Sequence, residues 1–118
     1  MTITLLGEPK STNNIYRYAC RGSFPCMYMT AAGKALKESY QWQAKSQWKK
    51  KTTDKPVAVH ITLFFKNGHK HDIDNFGKLL LDSLTDIVWV DDSQIAQMTV
   101  IKMMDKARPR IEINITEL

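Results

Sequence analysis

The clearest alternation in the chain runs from Val57 to Phe65. Val57, Val59, Ile61, Leu63 and Phe65 are interleaved with Ala58, His60, Thr62 and Phe64. A period of two predicts a strand with one buried face. His60 falls on the less apolar face, where a lone histidine reads as structural. Residues 2–6 (Thr-Ile-Thr-Leu-Leu) are rich in β-branched side chains and predict a short strand that Gly7 ends. A helical period follows Thr30, a good N-cap. Leu36, Tyr40, Ala44 and Trp48 recur every four positions and predict a helix over about 31–50. Phe76, Leu79, Leu80 and Leu84 predict a second helix over 74–84, with Asp74 as its N-cap. Residues 86–92 read as a short apolar turn or strand ending in two acids. Ile95, Met98, Val100 and Ile101 mark a strand over 94–104 with one irregularity. After a turn at 106–109, Ile111, Ile113 and Ile115 alternate with Glu112, Asn114 and Thr116 as a half-exposed closing strand. Pro9 to Asn14 is turn chemistry. Residues 15–29 show no period and read as an irregular loop.

The order strand, loop, helix, strand, helix, strand, strand predicts an α+β fold. It would be a small mixed sheet of about four to five strands with two helices packed on it. A length of 118 residues fits a single domain, 1–118, and 43% hydrophobic composition is ordinary for a globular chain. No apolar run reaches the roughly 18 residues of a membrane span, and the start lacks the pattern of a signal peptide. The expected location is the cytoplasm.

Seventeen Lys and Arg against twelve Asp and Glu leave a charge of +5. Such an excess suits a polyanionic partner. Lys34, Lys37, Lys45, Lys49, Lys50 and Lys51 sit on or just after the first predicted helix. They are read either as a solvated face or as phosphate contacts. Tyr16, Tyr18, Phe24 and Tyr28 alongside Arg17 and Arg21 suit a surface that stacks on bases and binds phosphate. The alternative is a loop pinned to the core by its aromatics. Cys20 and Cys26 are the only cysteines. They lack the paired short spacings of a zinc site, so free thiols are the expectation.

The chemistry concentrates in Asp72-Ile73-Asp74-Asn75-Phe76-Gly77-Lys78. A helix start needs apolar spacing there, not carboxylates at i and i+2. If 72–74 is extended, the two aspartates point the same way. With the Asp91-Asp92 pair they would form an oxygen-rich set for Mg²⁺, which takes carboxylates, waters and substrate phosphate oxygens. Lys78 would offset charge at a phosphate, and Asn75 would orient a ligand or water. Against this stands a plainer reading, in which Asp72 and Asp74 favour the positive end of a helix dipole and Asp91-Asp92-Ser93 is a turn. A zinc reading through His69, His71 and Asp72 requires an H-x-H-x-D-H run. It fails at Ile73 and Asp74.

These residues resemble the RusA-type Holliday junction resolvases, or crossover junction endodeoxyribonucleases, over nearly the whole chain. Pro9-Lys10-Ser11-Thr12-Asn13-Asn14-Ile15-Tyr16-Arg17 is similar to the family's Pro-x-Ser-x-Asn-type run before a Tyr/Arg-rich loop. Thr30 to Ala35 resembles the opening of its first helix. Asp72 to Lys78 matches its D-x-D-N-x-x-K and continues into Leu81-Asp82-Ser83-Leu84. Val88 to Gln94 resembles its x-W-x-D-D-x-Q segment, followed by the strand ending at Glu117.

The resemblance implies a homodimer that cuts four-way junction DNA by paired symmetric nicks, with Mg²⁺ as cofactor and Mn²⁺ as a substitute. It implies Asp72, Asp74, Asp92 and Lys78 as catalytic residues and Asp72, Asp74, Asp92 and Asp91 as metal ligands. Asn75, Lys10, Asn13, Asn14, Tyr16 and Arg17 are the expected substrate-binding set. Two other functions fit the same residues: a junction-binding accessory protein without cleavage, and a metal-dependent phosphohydrolase acting on small substrates.

Overall fold

The computed structural model describes residues 2–10, 16–21, 24–67 and 76–118, with 16–21 and 24–29 described by their backbone. The order of elements is β1 (Thr2–Leu6), β2 (Tyr16–Arg21), β3 (Phe24–Met29), α1 (Ala31–Gln47), β4 (Val57–Phe65) and α2 (Gly77–Leu84). A short 3-10 turn at Asp92–Gln94, β5 (Ile95–Met104) and β6 (Arg110–Glu117) complete it. β1, β6, β4 and β5 form one mixed sheet in that order. The expected α+β architecture is what the chain adopts.

β4 lies inside the sheet, antiparallel to β6 and parallel to β5. Its five alternating apolar side chains, Val57 to Phe65, are all buried. Parallel neighbours need a crossover, and α2 supplies it between β4 and β5. Leu79, Leu80 and Leu84 of α2 pack into the same core as Ile3, Leu5, Tyr40, Ala44 and the isoleucines of β6. The irregularity expected in β5 is a register shift. Val57 pairs with Ile95 but Ala58 with Gln97, so Ala96 is an extra residue.

The two sheet edges are treated differently. Along β1, α1 closes the edge with glutamines. Gln47 accepts from the Thr4 N–H (2.8 Å) and donates to the Thr4 carbonyl (2.7 Å). Gln43 accepts from the Leu6 N–H at 2.8 Å. These satisfy backbone groups that an edge strand leaves open. β5, at the other edge, is exposed along most of its length, with Met98, Ile101, Met103 and Met104 accessible. Arg110, at the start of β6, lies over the Phe64 ring (3.8 Å to its centroid) and pairs with Asp105 and Glu112.

Three expectations are corrected. Residues 16–21 and 24–29, expected within an irregular loop, are strands: β2 and β3 form a separate antiparallel ribbon with Arg17 opposite Tyr28 and Tyr18 opposite Met27. The signal was present as two runs rich in aromatics separated by the dipeptide Gly22-Ser23. In this register Cys20 lies opposite Pro25 and Cys26 opposite Ala19. The first helix ends at Gln47, three residues before the expected limit of 50. Trp48 caps it, with its N–H on the Ala44 carbonyl, its ring buried and its indole donating to the Lys51 carbonyl. The lysine run 49–51 therefore comes after the helix instead of ending it. α2 begins at Gly77 with Phe76 in the N-cap position, three residues after the expected start at 74; Asp74 itself lies outside the described residues. No helix among the described residues is long and apolar enough to cross a membrane.

Burial of Tyr40 pushes its hydroxyl up to about 12. The neutral form is the one the core accepts. Its contribution is complete below the ordinary tyrosine value of about 10 and is lost as pH rises from there through the folded value. The shift corresponds to about 3 kcal/mol. Urea unfolding across the alkaline range should show this loss in the native protein and a much smaller one in Tyr40→Phe; equal losses would contradict the assignment.

Candidate active site

The segment from Thr85 to Gln94 is irregular, yet it is tightly held. Trp89 is fully buried, and Val88 beside it is buried as well. The Asp86 N–H donates to the Trp89 carbonyl (2.7 Å), closing a turn in which Asp86 takes a left-handed φ of 71°. The connection before β4 stitches this turn down. The Thr53 N–H donates to Val88 O (2.9 Å), Val90 N–H to Thr53 O (3.3 Å), and the Thr52 hydroxyl lies within bonding distance of the Ile87 carbonyl. Anchored at Trp89, the chain emerges two residues later with Asp91 and Asp92 both exposed.

Gln94 fixes the next turn. Its amide oxygen accepts from the Asp91 N–H (2.9 Å), and its amide NH₂ donates to the carbonyls of Thr53 (2.9 Å) and Lys55 (3.0 Å). The Ser93 hydroxyl donates to the Asp91 carboxylate. That bond, helped by backbone N–H groups, holds the Asp91 carboxyl below the usual carboxylate range. Asp91 is thus tied into its own turn, and Asp92 stands next to it at the start of the 3-10 turn.

Asp91 and Asp92 open into a cleft of about 390 Å³ between this segment, α1 and α2. α1 contributes Lys37 and Gln41 to its wall, and α2 contributes Asp82. On the surface of α2, Asp82 pairs with Lys78 one turn earlier, with the Lys78 Nζ 4.0 Å from Asp82 Oδ2. At that distance and exposure the pair adds little stability. Asp82, Asp86, Asp91 and Asp92 line the cleft together with Lys37, and carboxylate oxygens are the donor type that a hard cation takes.

Of the expected site residues, Asp91 and Asp92 line the cleft, and Lys78 is related to it through its ion pair with the lining residue Asp82. Asp72, Asp74, Asn75, Asn13 and Asn14 lie outside the described residues. Lys10 is exposed in the stretch after β1, and Tyr16 and Arg17 belong to β2. Among the described residues no three metal-type ligands gather at one point. Lys37, Gln41 and Asp82 were absent from the expected site residues. Lys37 carried a signal as one of the first helix's lysines, read as a possible phosphate contact, and Asp82 as part of the Leu81-Asp82-Ser83-Leu84 run and by its i,i+4 spacing from Lys78; Gln41 carried none.

The sequence pattern of the endodeoxyribonuclease RusA family matches residues 7–116. The crossover junction endodeoxyribonuclease RusA of Escherichia coli K12 is 30% identical over 111 residues, covering 93% of this chain and 89% of the relative. The protein of that name from Enterobacteria phage 82 is 30% identical with the same coverage. That from Escherichia coli O139:H28 is 29% identical. The chain belongs to the RusA endodeoxyribonuclease family. The span it shares with RusA includes both the cleft segment and the Asp72–Lys78 stretch. The buried tryptophan, the acid pair and the glutamine that the resemblance to RusA picked out are one mechanical unit.

Gln94→Ala deletes three bonds of that unit. It should cost about 1–3 kcal/mol and speed amide exchange at Val90 to Gln94 while leaving β4 and β6 protected. Unchanged exchange in that segment would show that Gln94 does not hold it.

Proposed function

We propose that this chain, working as one domain over 1–118, is a divalent-metal-dependent crossover junction endonuclease that resolves four-way DNA junctions by paired symmetric nicks in the cytoplasm. One observation carries the reading: in a member of an endodeoxyribonuclease family, Asp91 and Asp92 are held rigidly at the mouth of a cleft that also takes in Lys37 and Asp82. Asp72, Asp74 and Asp92 would hold the cation, with Asp91 beside them, and Mg²⁺ is the expected ion with Mn²⁺ as a substitute. Such an ion, when bound, polarises a phosphodiester and acidifies a water.

The chain's own groups do the rest. Lys78 offsets the negative charge that builds on the phosphate as the bond breaks. Asn75 orients a ligand or the attacking water. Lys37, in the cleft wall, attracts a non-bridging phosphate oxygen. Lys10, Asn13, Asn14, Tyr16 and Arg17 contact the DNA backbone away from the cut. The basic excess makes binding weaken steeply with salt, and shape more than base sequence selects the substrate.

A two-fold homodimer would present two such sites to a junction of near two-fold symmetry. The accessible Met98, Ile101, Met103 and Met104 on the uncovered edge strand β5 support a second copy there.

Two experiments test this. Asp92→Asn and Asp74→Asn should bind a four-way junction within about twofold of the native protein and cut it at least 100-fold more slowly, a loss of about 3 kcal/mol or more in barrier terms. Full cutting by either would remove that acid from the mechanism, and a native protein that binds without cutting would favour the accessory-protein reading. In sedimentation at micromolar concentration, the native chain should run as a dimer and Ile101→Lys as a monomer. A dimeric Ile101→Lys would move the interface off β5.

A further inference from the structure

α1 carries a side chain that the fold does not explain. Trp42 is 78% exposed, while Tyr40 and Ala44, two residues to either side, are buried in the core. At 100° per residue both neighbours point to the opposite side of the helix, so Trp42 faces straight out. A tryptophan there leaves a large apolar ring in water and contributes nothing to the core. It lines an open groove of about 690 Å³ with Gln41 and Lys45 of α1 and Thr85, Asp86 and Ile87 beyond α2. Gln41, Thr85 and Asp86 also line the cleft of Asp91 and Asp92, so the groove and the cleft adjoin.

We propose that Trp42 is a stacking platform for an unpaired or unstacked nucleobase of branched DNA, delivered beside the cleft where the strand is cut. This rests on the reading of the chain as a DNA endonuclease and adds a subsite to it. The charge pattern selects the occupant. Residues 31–51 contain six lysines and one acid, Glu38. Lys34, Lys45, Lys49, Lys50 and Lys51 are exposed along that stretch and can track a phosphate backbone. Within the groove itself Glu38 and Asp86 offset Lys45. Phosphates are thus favoured along the helix and disfavoured in the groove, which leaves the uncharged face of a base to fill it. Stacking of this kind is indifferent to base identity, because every base has a π-face. It also requires a base free of its neighbour, which a branch point supplies and a continuous duplex does not.

The test uses the full chain with an immobile four-way junction and a linear duplex of the same sequence. Trp48 and Trp89 are buried, so the solvent-exposed emission belongs to Trp42 and should disappear in Trp42→Phe. Junction binding should quench that emission in the native protein, and duplex binding should not. Trp42→Ala should weaken junction binding by about 5- to 100-fold, the range for losing one stacked base, with duplex binding and thermal stability unchanged. Trp42→Phe should lose less, because a smaller ring still stacks. Native-like junction binding and cutting by Trp42→Ala would overturn the stacking site while leaving the endonuclease reading intact. A native protein that binds no junction would overturn both. A fall from dimer to monomer in Trp42→Ala would assign the residue to a protein interface and overturn the proposal.

Discussion

Burial of one indole organises the acidic end of this molecule. Two neighbouring aspartates repel each other and gain nothing from the core, so a flexible loop would let them drift into solvent. Trp89 prevents that. Its ring is sealed completely, although its N–H meets no acceptor among the described residues. An unpaired buried donor costs about 1–3 kcal/mol. The large ring area removed from water and the backbone bonds from Thr53 offset that cost. Once Trp89 is fixed, chain geometry alone sets Asp91 and Asp92 at the surface, and Gln94 locks the next turn. The cleft acids are thus positioned by hydrophobic burial acting two residues away.

The helices and the sheet edges divide the remaining labour. α1 shields the β1 edge with Gln43 and Gln47, buries Tyr40, Ala44 and Trp48, and still turns Lys37 and Trp42 outward. α2 is short, a crossover of eight residues. It joins the stretch carrying Asp72 and Asp74 at one end to the Trp89 turn at the other. Lys78 and Asp82 stand one turn apart between them. β5 keeps an accessible apolar edge at Met98, Ile101, Met103 and Met104, of the kind that a globular chain ordinarily shields.

The elements that were legible in the sequence are those whose periodicity reflects burial. β4 alternates because β5 and β6 flank it and the helices cover only one face, and β6 alternates for the same reason. The bulge at Ala96 was legible as a break in an apolar run. The β2–β3 ribbon was not, because its aromatics and arginines lack a clean alternation and its marker is a single dipeptide. The end of α1 was misplaced because lysines are good helix formers, whereas Trp48 needed the core more than the helix needed three further residues. At the site, the motif singled out Asp91 and Asp92, which line the cleft, and Lys78, which pairs with the lining residue Asp82. Lys37 and Gln41 reach the cleft only through the packing of α1 against the rest of the fold, which no local spacing in α1 announces.

The most direct test of the central claim is strand mapping on a four-way junction and on the matching linear duplex, with Mg²⁺ and with EDTA. Paired nicks at symmetric positions on the junction alone, abolished by EDTA, are the predicted result. Equal cutting of the duplex, or cutting that persists in EDTA, would contradict it.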